Sequence, residues 1–243
     1  MSPSQNSSQR RTAARTAVVW DALQDILDGT SASVVDIGGG TGGFAVRVAE
    51  LGHRVTVVDP SPDALAALAR RADESAVADL VTGQQGDMAN LCDLVAEGSS
   101  DIVLCHGVLE IVDDPASALT TLRKVLRPGG TLSLLVSQRH AAVVARAMAG
   151  HFGQAMSLLD DSASRAKARR FTAEEITTVL QDTGFDPKAV HAVRVFADLV
   201  PSSLVDIEPG SAESLVELER AVADRPEYLP LATQLHVLAT RAS

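Results

Sequence analysis

The 243-residue sequence predicts a doubly wound α/β fold, a mostly parallel seven-stranded sheet with helices on both faces. Three observations carry this. Short β-branched runs without polar alternation recur along the chain, as expected of strands covered on both sides. Amphipathic helical stretches separate them, which calls for parallel pairing through right-handed crossovers. A run of glycines follows the first apolar run, at the strand-to-helix turn where open α/β sheets bind ligands.

Taken in order, Met1–Gln9 is polar and aperiodic, and residues 1–11 read as a flexible tail. From Thr12 to Leu27 the apolar residues Val19, Trp20, Leu23, Ile26 and Leu27 fall at helical spacing, and Gly29 is a helix stop. Strands are expected at Ser33–Ile37, Arg54–Val58, Ala78–Thr82 (the weakest), Asp101–Cys105 and Thr131–Val136. Helices are expected between them at Phe44–Leu51, Pro62–Arg71, Met88–Ala96 and Pro115–Leu126. The rhythm then breaks. Ala141–His151 is helical, and Ser157–Arg170 is polar with the cluster Arg165, Lys167, Arg169 and Arg170. The α/β pattern resumes with a helix at Thr172–Thr183, opened by Thr172 with Glu175 three residues on, the signature of a capping box. A strand at Val190–Phe196, a helix marked by Leu215, Leu218 and Val222, and a last strand at Gln234–Thr240 complete the chain. With no internal repeat, residues 12–243 read as one domain with a helical, basic insertion at about 138–171.

Composition narrows the class. Hydrophobic residues are 46% and charged residues 21%, enough apolar content to bury a core and exclude bulk disorder. Two cysteines, Cys92 and Cys105, build no disulfide scaffold and fit a reducing, cytoplasmic setting. No apolar run reaches the ~18 residues of a membrane span, so no membrane partner is expected. The 21 basic against 31 acidic residues give a net charge of −10, which disfavours broad binding to nucleic acid, and no DNA partner is expected. The charge is uneven. Seven acids between Asp206 and Glu227 crowd one stretch, whereas bases cluster at Arg10–Arg15 and Arg165–Arg170, a local rim that could hold one RNA loop.

The strongest chemical signal is Asp36-Ile37-Gly38-Gly39-Gly40-Thr41-Gly42-Gly43. Glycines let the backbone approach a ligand closely, and the helix N-terminus that follows favours an anionic group. Asp59, 17 residues after Gly42, ends the second strand where an acid commonly accepts hydrogen bonds from ribose hydroxyls. The loop also satisfies Gly-x-Gly-x-x-Gly, so a nicotinamide enzyme is an alternative. Asp36, two residues before the first glycine, suits an ammonium better than a pyrophosphate. Gly86-Asp87 ends the third strand, where a carboxylate can accept from an adenine amino group, and Leu126-Arg127-Pro128-Gly129-Gly130-Thr131 forms a turn into the fifth strand.

These four motifs, in register over Ser33–Val136, resemble class I S-adenosylmethionine-dependent methyltransferases with their Rossmann-like sheet. A more specific resemblance runs through Asp101-Ile102-Val103-Leu104-Cys105-His106-Gly107-Val108-Leu109-Glu110, Met148-Ala149-Gly150-His151-Phe152 and Val193-Arg194-Val195-Phe196-Ala197-Asp198. With Leu215 to Glu219, Leu235-His236-Val237 and Ala14-Arg15-Thr16-Ala17-Val18-Val19-Trp20, it spans about Thr12 to Arg241. These segments are similar to the bacterial tRNA 5-carboxymethoxyuridine methyltransferases, which esterify a carboxylate on a modified wobble uridine. The resemblance implies that the cofactor is S-adenosylmethionine and that Arg15 reaches its carboxylate. It further implies that Gly38, Gly39 and Gly40 line the cofactor, that Asp59 holds the ribose, that Gly86, Asp87 and Met88 flank the adenine, and that His106 sits near the reactive end. The family's tyrosine- and lysine-bearing N-terminal segment has no match in Met1–Gln9, and the chain is poor in aromatics for base stacking.

A carboxylate acceptor is already ionised near neutral pH and needs no general base, and the sequence offers no obligatory one. Holding it calls for an arginine, whose fork matches a carboxylate; Arg194 is the first candidate and Arg139 the second. His106 is a further catalytic candidate, and no metal site is expected. The acceptor is modified tRNA or a small-molecule acid; a methyltransferase for a small metabolite and a non-catalytic cofactor-binding protein stand as alternatives.

Overall fold

A computed structural model describes residues 3–29, 31–159, 169–201 and 210–242. In chain order the helices are α1 (Pro3–Leu27), α2 (Ala45–Glu50), α3 (Pro62–Glu74), α4 (Leu91–Leu94), α5 (Pro115–Val125), α6 (Arg139–Met148), α7 (Phe152–Ser157), α8 (Ala173–Asp182) and α9 (Ser211–Ala223). The strands are β1 (Ser33–Ile37), β2 (Arg54–Asp59), β3 (Val81–Gln85), β4 (Ser100–His106), β5 (Leu126–Ser137), β6 (Phe185–Val193) and β7 (Gln234–Arg241). They form one seven-stranded sheet in the order β3-β2-β1-β4-β5-β7-β6.

Pairings β1–β2, β1–β4, β2–β3 and β4–β5 are parallel. β7 is reversed. Gln138 N–H, just past the end of β5, donates to Thr233 C=O just before β7, while Arg241 at the end of β7 donates to the Leu126 carbonyl at the start of β5. The same reversal relates β7 to β6, through Thr233 N–H to Arg194 C=O and Ala242 N–H to Gly184 C=O. The sheet is therefore mostly parallel, with its penultimate position antiparallel.

The chain divides into two compact units. One comprises Ile26–Leu135, Thr177–Lys188 and Val237–Ser243. Its interior is the continuous apolar strands the sequence announced: Val34, Val35 and Ile37 of β1, Val55, Val57 and Val58 of β2, and Ile102, Val103 and Leu104 of β4 are all buried. α3 begins at Ser61, whose hydroxyl accepts from Ala64 N–H, with Pro62 at the first helical position. Asp114 and Pro115 open α5 in the same way. Cys105 is buried, as expected of a small hydrophobe, and that burial pushes its thiol pKa up.

The second unit comprises Met1–Asp25, Val136–Ile176 and Ala189–His236. The predicted capping box is present: Thr172 N–H donates to Glu175 and Glu175 N–H donates back to Thr172 Oγ1 at 3.1 Å. Ala192, Val195, Val222 and Ala232 form its buried cluster, with Phe196, Tyr228 and Leu229 packed against it.

Five local expectations shift. The turn expected at Leu126–Thr131 lies within β5, which begins at Leu126 opposite Ser100 and absorbs the glycines in an irregular register between Ser100 and Ile102. Residues 3–11, read as a tail, lie in α1, whose Pro3 suits the first turn and whose ladder continues from a segment anchored by Val18, Val19, Leu23 and Leu27. The strand expected at 78–82 is a 3₁₀ turn at Ala78–Leu80 followed by β3, an edge strand with no buried residue and hence no clean apolar pattern. The helix expected at 88–96 shrinks to the single turn of α4. The strand expected at 190–196 is β6, ending at Val193; Pro187 within it is tolerated because β6 is the other edge. In the basic stretch, Arg165 and Lys167 lie outside the described residues.

Candidate active site

The glycine loop occupies the turn from β1 into α2. Gly38 and Gly40 have φ of +70° and +55°, a left-handed region that glycine enters without a Cβ penalty. Side chains from two strands and from the segment after a third support the loop. A Cβ at Gly38 would come within 2.5 Å of Val108, in the segment after β4. A Cβ at Gly39 would come within 2.5 Å of Asp36 Oδ2 on β1. Gly40 N–H donates to Asp59 Oδ2, at the end of β2, at 2.9 Å.

Asp59 is therefore more than an acid at a strand end. Its Oδ1 accepts from Ser61 N–H at 2.9 Å, so it ties the glycine loop to the start of α3. Each oxygen accepts one of these backbone N–H groups, and a carboxylate oxygen can accept two hydrogen bonds. Asp36 is buried at 4% exposure, and burial followed by the nearby Asp59 charge raises its pKa to about 7. A cation placed against it would restore the ionised form.

Gly86 N–H donates to the Asp59 carbonyl at 3.2 Å, bringing the end of β3 alongside β2. Asn90 shapes the turn that follows. Its Oδ1 accepts from Asp87 N–H, and Asp87 Oδ1 accepts from Ala89 N–H, each at 2.8 Å. The exposed Asp87 and half-buried Met88 line a cavity of about 530 Å³, which Val108, Ile111, Asp113 and Thr121 also border. Val108 is common to this cavity and the support of Gly38.

His106 ends β4. Its Nε2 lies 2.8 Å from Ser133 Oγ on β5, and its ring meets Phe44 edge-on at 5.1 Å between centroids. Ser133, Phe44 and Val108 carry no local sequence signal of this role, because they converge only when the strands pair.

The arginines belong to the second unit. Arg194 follows β6 with a φ of +61°, uncommon for a residue with a side chain. Its Nη2 pairs with Asp198, 2.6 Å from Oδ2 and 2.8 Å from Oδ1, while its buried Nε has no hydrogen-bond partner among the described residues. Arg15 of α1 is half-buried, its Nε likewise unpartnered; burial and then the Arg194 charge lower its pKa. The structure thus brings Arg15 within electrostatic range of Arg194, which Asp198 pairs. Arg139 differs. Its Nη1 and Nη2 form a fork on Glu175 at 2.7 and 2.8 Å, and Nη2 also reaches the Arg170 carbonyl, so it fastens α6 to the start of α8.

Residues 35–134, which hold the glycine loop, Asp59, Gly86-Asp87-Met88 and His106, match the family described as "Methyltransferase domain". The chain is an S-adenosylmethionine-dependent methyltransferase. Beyond this domain it is similar to the tRNA 5-carboxymethoxyuridine methyltransferase of Escherichia coli K12, 29% identical with 93% of this chain and 88% of that one covered. It is also similar to the ubiquinone biosynthesis O-methyltransferase of Xanthomonas oryzae, 34% identical over 58% of each chain. Its fold resembles the crystal structure of 1,6-didemethyltoxoflavin-N1-methyltransferase from Burkholderia thailandensis, with a TM-score of 0.58, 21% identity and coverage of 95% and 79%.

Proposed function

We propose that the enzyme methylates a carboxylate oxygen, and that the acceptor is 5-carboxymethoxyuridine in the wobble position of tRNA. The observation that carries this reading is Arg194, a guanidinium fixed at one end by Asp198 yet with its buried Nε unpartnered among the described residues. Leaving such a donor dry is costly, and a bound carboxylate would satisfy it. The end-to-end similarity to the Escherichia coli tRNA enzyme supports the same acceptor, and a tRNA substrate would place the protein in the cytoplasm.

S-adenosylmethionine supplies an electrophilic methyl group on a sulfonium. The residues present fit it. Asp59 retains acceptor capacity for ribose hydroxyls beyond its bonds to Gly40 and Ser61. Asp36, buried and shifted toward neutrality, gains from a nearby ammonium. Gly38, Gly39 and Gly40 offer bare backbone, Gly86, Asp87 and Met88 would flank the adenine, and Arg15 would meet the methionine carboxylate. His106, held by Ser133 and Phe44, would form a fixed wall near the reactive end.

The acceptor oxygen forms the new C–O bond as the C–S bond breaks, so an anion and a cation become a neutral ester and a neutral thioether. The chain's task is alignment and exclusion of water, without a general base. Labelled methyl groups offered to bulk tRNA that carries 5-carboxymethoxyuridine but lacks its methyl ester, and to a small-molecule extract, test the assignment. Label in tRNA, with S-adenosylhomocysteine affinity preserved but turnover sharply reduced in Arg194→Ala, is the expected result. Unchanged activity in Arg194→Ala removes this arginine from the site. Label in the extract alone favours a small-molecule acceptor, the reading to which the ubiquinone-pathway relatives and the net charge of −10 point.

A further inference from the structure

We propose that Glu219 is the positioning residue for Arg194, setting the backbone turn that aims its guanidinium at the acceptor. This rests on the reading that Arg194 holds the acceptor carboxylate. Glu219 lies on α9, 25 positions further along the chain, in a stretch whose other acids are exposed or half-exposed where described. Its own exposure is 0%. A buried carboxylate needs partners. It has three, all backbone: Oε2 accepts from Val195 N–H at 2.8 Å, and Oε1 accepts from Phe196 N–H at 2.8 Å and Ala197 N–H at 2.7 Å.

These are the three residues immediately after Arg194. Consecutive N–H groups alternate in direction along an extended strand, so three can converge on one carboxylate only where the chain curls. The curl begins at Arg194, whose left-handed φ of +61° takes the chain out of β6. One anion thus holds Arg194 in a conformation that a side-chain-bearing residue rarely adopts. Asp198 restrains the other end of the same side chain through Nη2. Backbone and head group are both pinned, leaving Nε as the buried donor in between. Both oxygens are engaged, which distinguishes glutamate from its amide. In Glu219→Gln one of the two acceptor positions becomes an NH₂ group facing an N–H donor.

The test is a double-mutant cycle on methyl transfer, using whichever acceptor fraction takes up label in the experiment above, each variant assayed below its unfolding transition. Glu219→Gln is expected to raise the acceptor KM on the order of tenfold while leaving S-adenosylhomocysteine affinity by calorimetry unchanged. Added to Arg194→Ala, it is expected to cause no further loss in kcat/KM, because its effect passes through that arginine. Glu219→Asp, which keeps both oxygens one methylene back, is expected to recover part of the loss. Additive losses in the double variant, or a parallel fall in S-adenosylhomocysteine affinity, overturn the proposal. So does failure of both Glu219 variants to fold, which assigns the carboxylate to the fold alone. An Arg194→Ala enzyme of full activity instead refutes the underlying reading of Arg194, a distinguishable outcome.

Discussion

The Asp36 carboxylate lies directly beneath Gly39, so close that a Cβ at position 39 would stand 2.5 Å from its Oδ2 and 2.9 Å from Val57 Cγ1. The glycine here is demanded by contact with the strand below, and its neighbours cannot retreat, since Asp36 is buried and Val57 is fully covered in β2. Gly39→Ala is therefore expected to cost about 1–3 kcal/mol, the usual penalty of overpacking. It is also expected to weaken S-adenosylhomocysteine binding by lifting the loop. Chemical denaturation and calorimetry on the same variant check both; unchanged values in both would show that the loop yields freely.

Asp36 also predicts a pH dependence. Its pKa is raised from the ordinary 3.8 to about 7 by burial and by Asp59. Between those values the folded chain keeps a proton that the unfolded chain has lost, so this group's stability contribution falls as pH rises through that window. Asp36→Asn is expected to remove that fall, seen as a flatter Tm against pH. If a cofactor ammonium sits against Asp36, binding drives the proton off near neutral pH. Calorimetry in buffers of different ionisation enthalpy should then show proton release for the wild type and none for the variant.

His191 acts with the opposite sign. Its Nδ1 lies 3.2 Å from His236 Nδ1 on the neighbouring strand, with the rings stacked at 5.3 Å, so one proton is shared between two nitrogens. Burial lowers the His191 pKa, partly offset by Asp224. Its contribution is present above the ordinary histidine value near 6.5 and lost as pH falls below it. His191→Gln is expected to shallow the loss of Tm on the acid side. An acid limb as steep as that of the wild type would show that this pair does not govern it.

Arg139 is expected to matter for stability and not for chemistry. Its side chain is 12% exposed and holds Glu175, which is 38% exposed and completes the capping box of α8. Arg139→Ala should cost about 1–3 kcal/mol, below the range for a fully buried pair because water reaches the glutamate. Steady-state kinetics at matched folded concentration should show kcat and KM within about twofold of wild type. A selective rise in the acceptor KM would return Arg139 to the substrate site.

How much of this was legible in the sequence depends on how local each signal is. β1, β2 and β4 announced themselves because both faces are covered and the apolar run is continuous. β3 and β6 showed themselves with shifted bounds: as edge strands they carry exposed residues, and β6 carries a proline, which blur the pattern. The capping box at Thr172 and Glu175 was readable because its partners are three residues apart. Glu219 was not, since its partners at 195–197 are more than twenty residues away and its neighbours are acids of the ordinary exposed kind.

The glycine loop, the strand-end acids and the order of strands and helices were determined by the sequence alone. Steric freedom at glycine, helix capping and apolar periodicity act over a few residues, and the chain spells them out in order. Tertiary structure alone decided that Asp36 is buried under Gly39 with its proton held toward neutrality, and that His106 rests on Ser133 and Phe44. It also decided that Arg139 is spent on Glu175 while Arg194 is held by Asp198 and stands beside Arg15. Desolvation and charge pairing depend on which groups the folded sheet brings together, and composition carries no record of that distance.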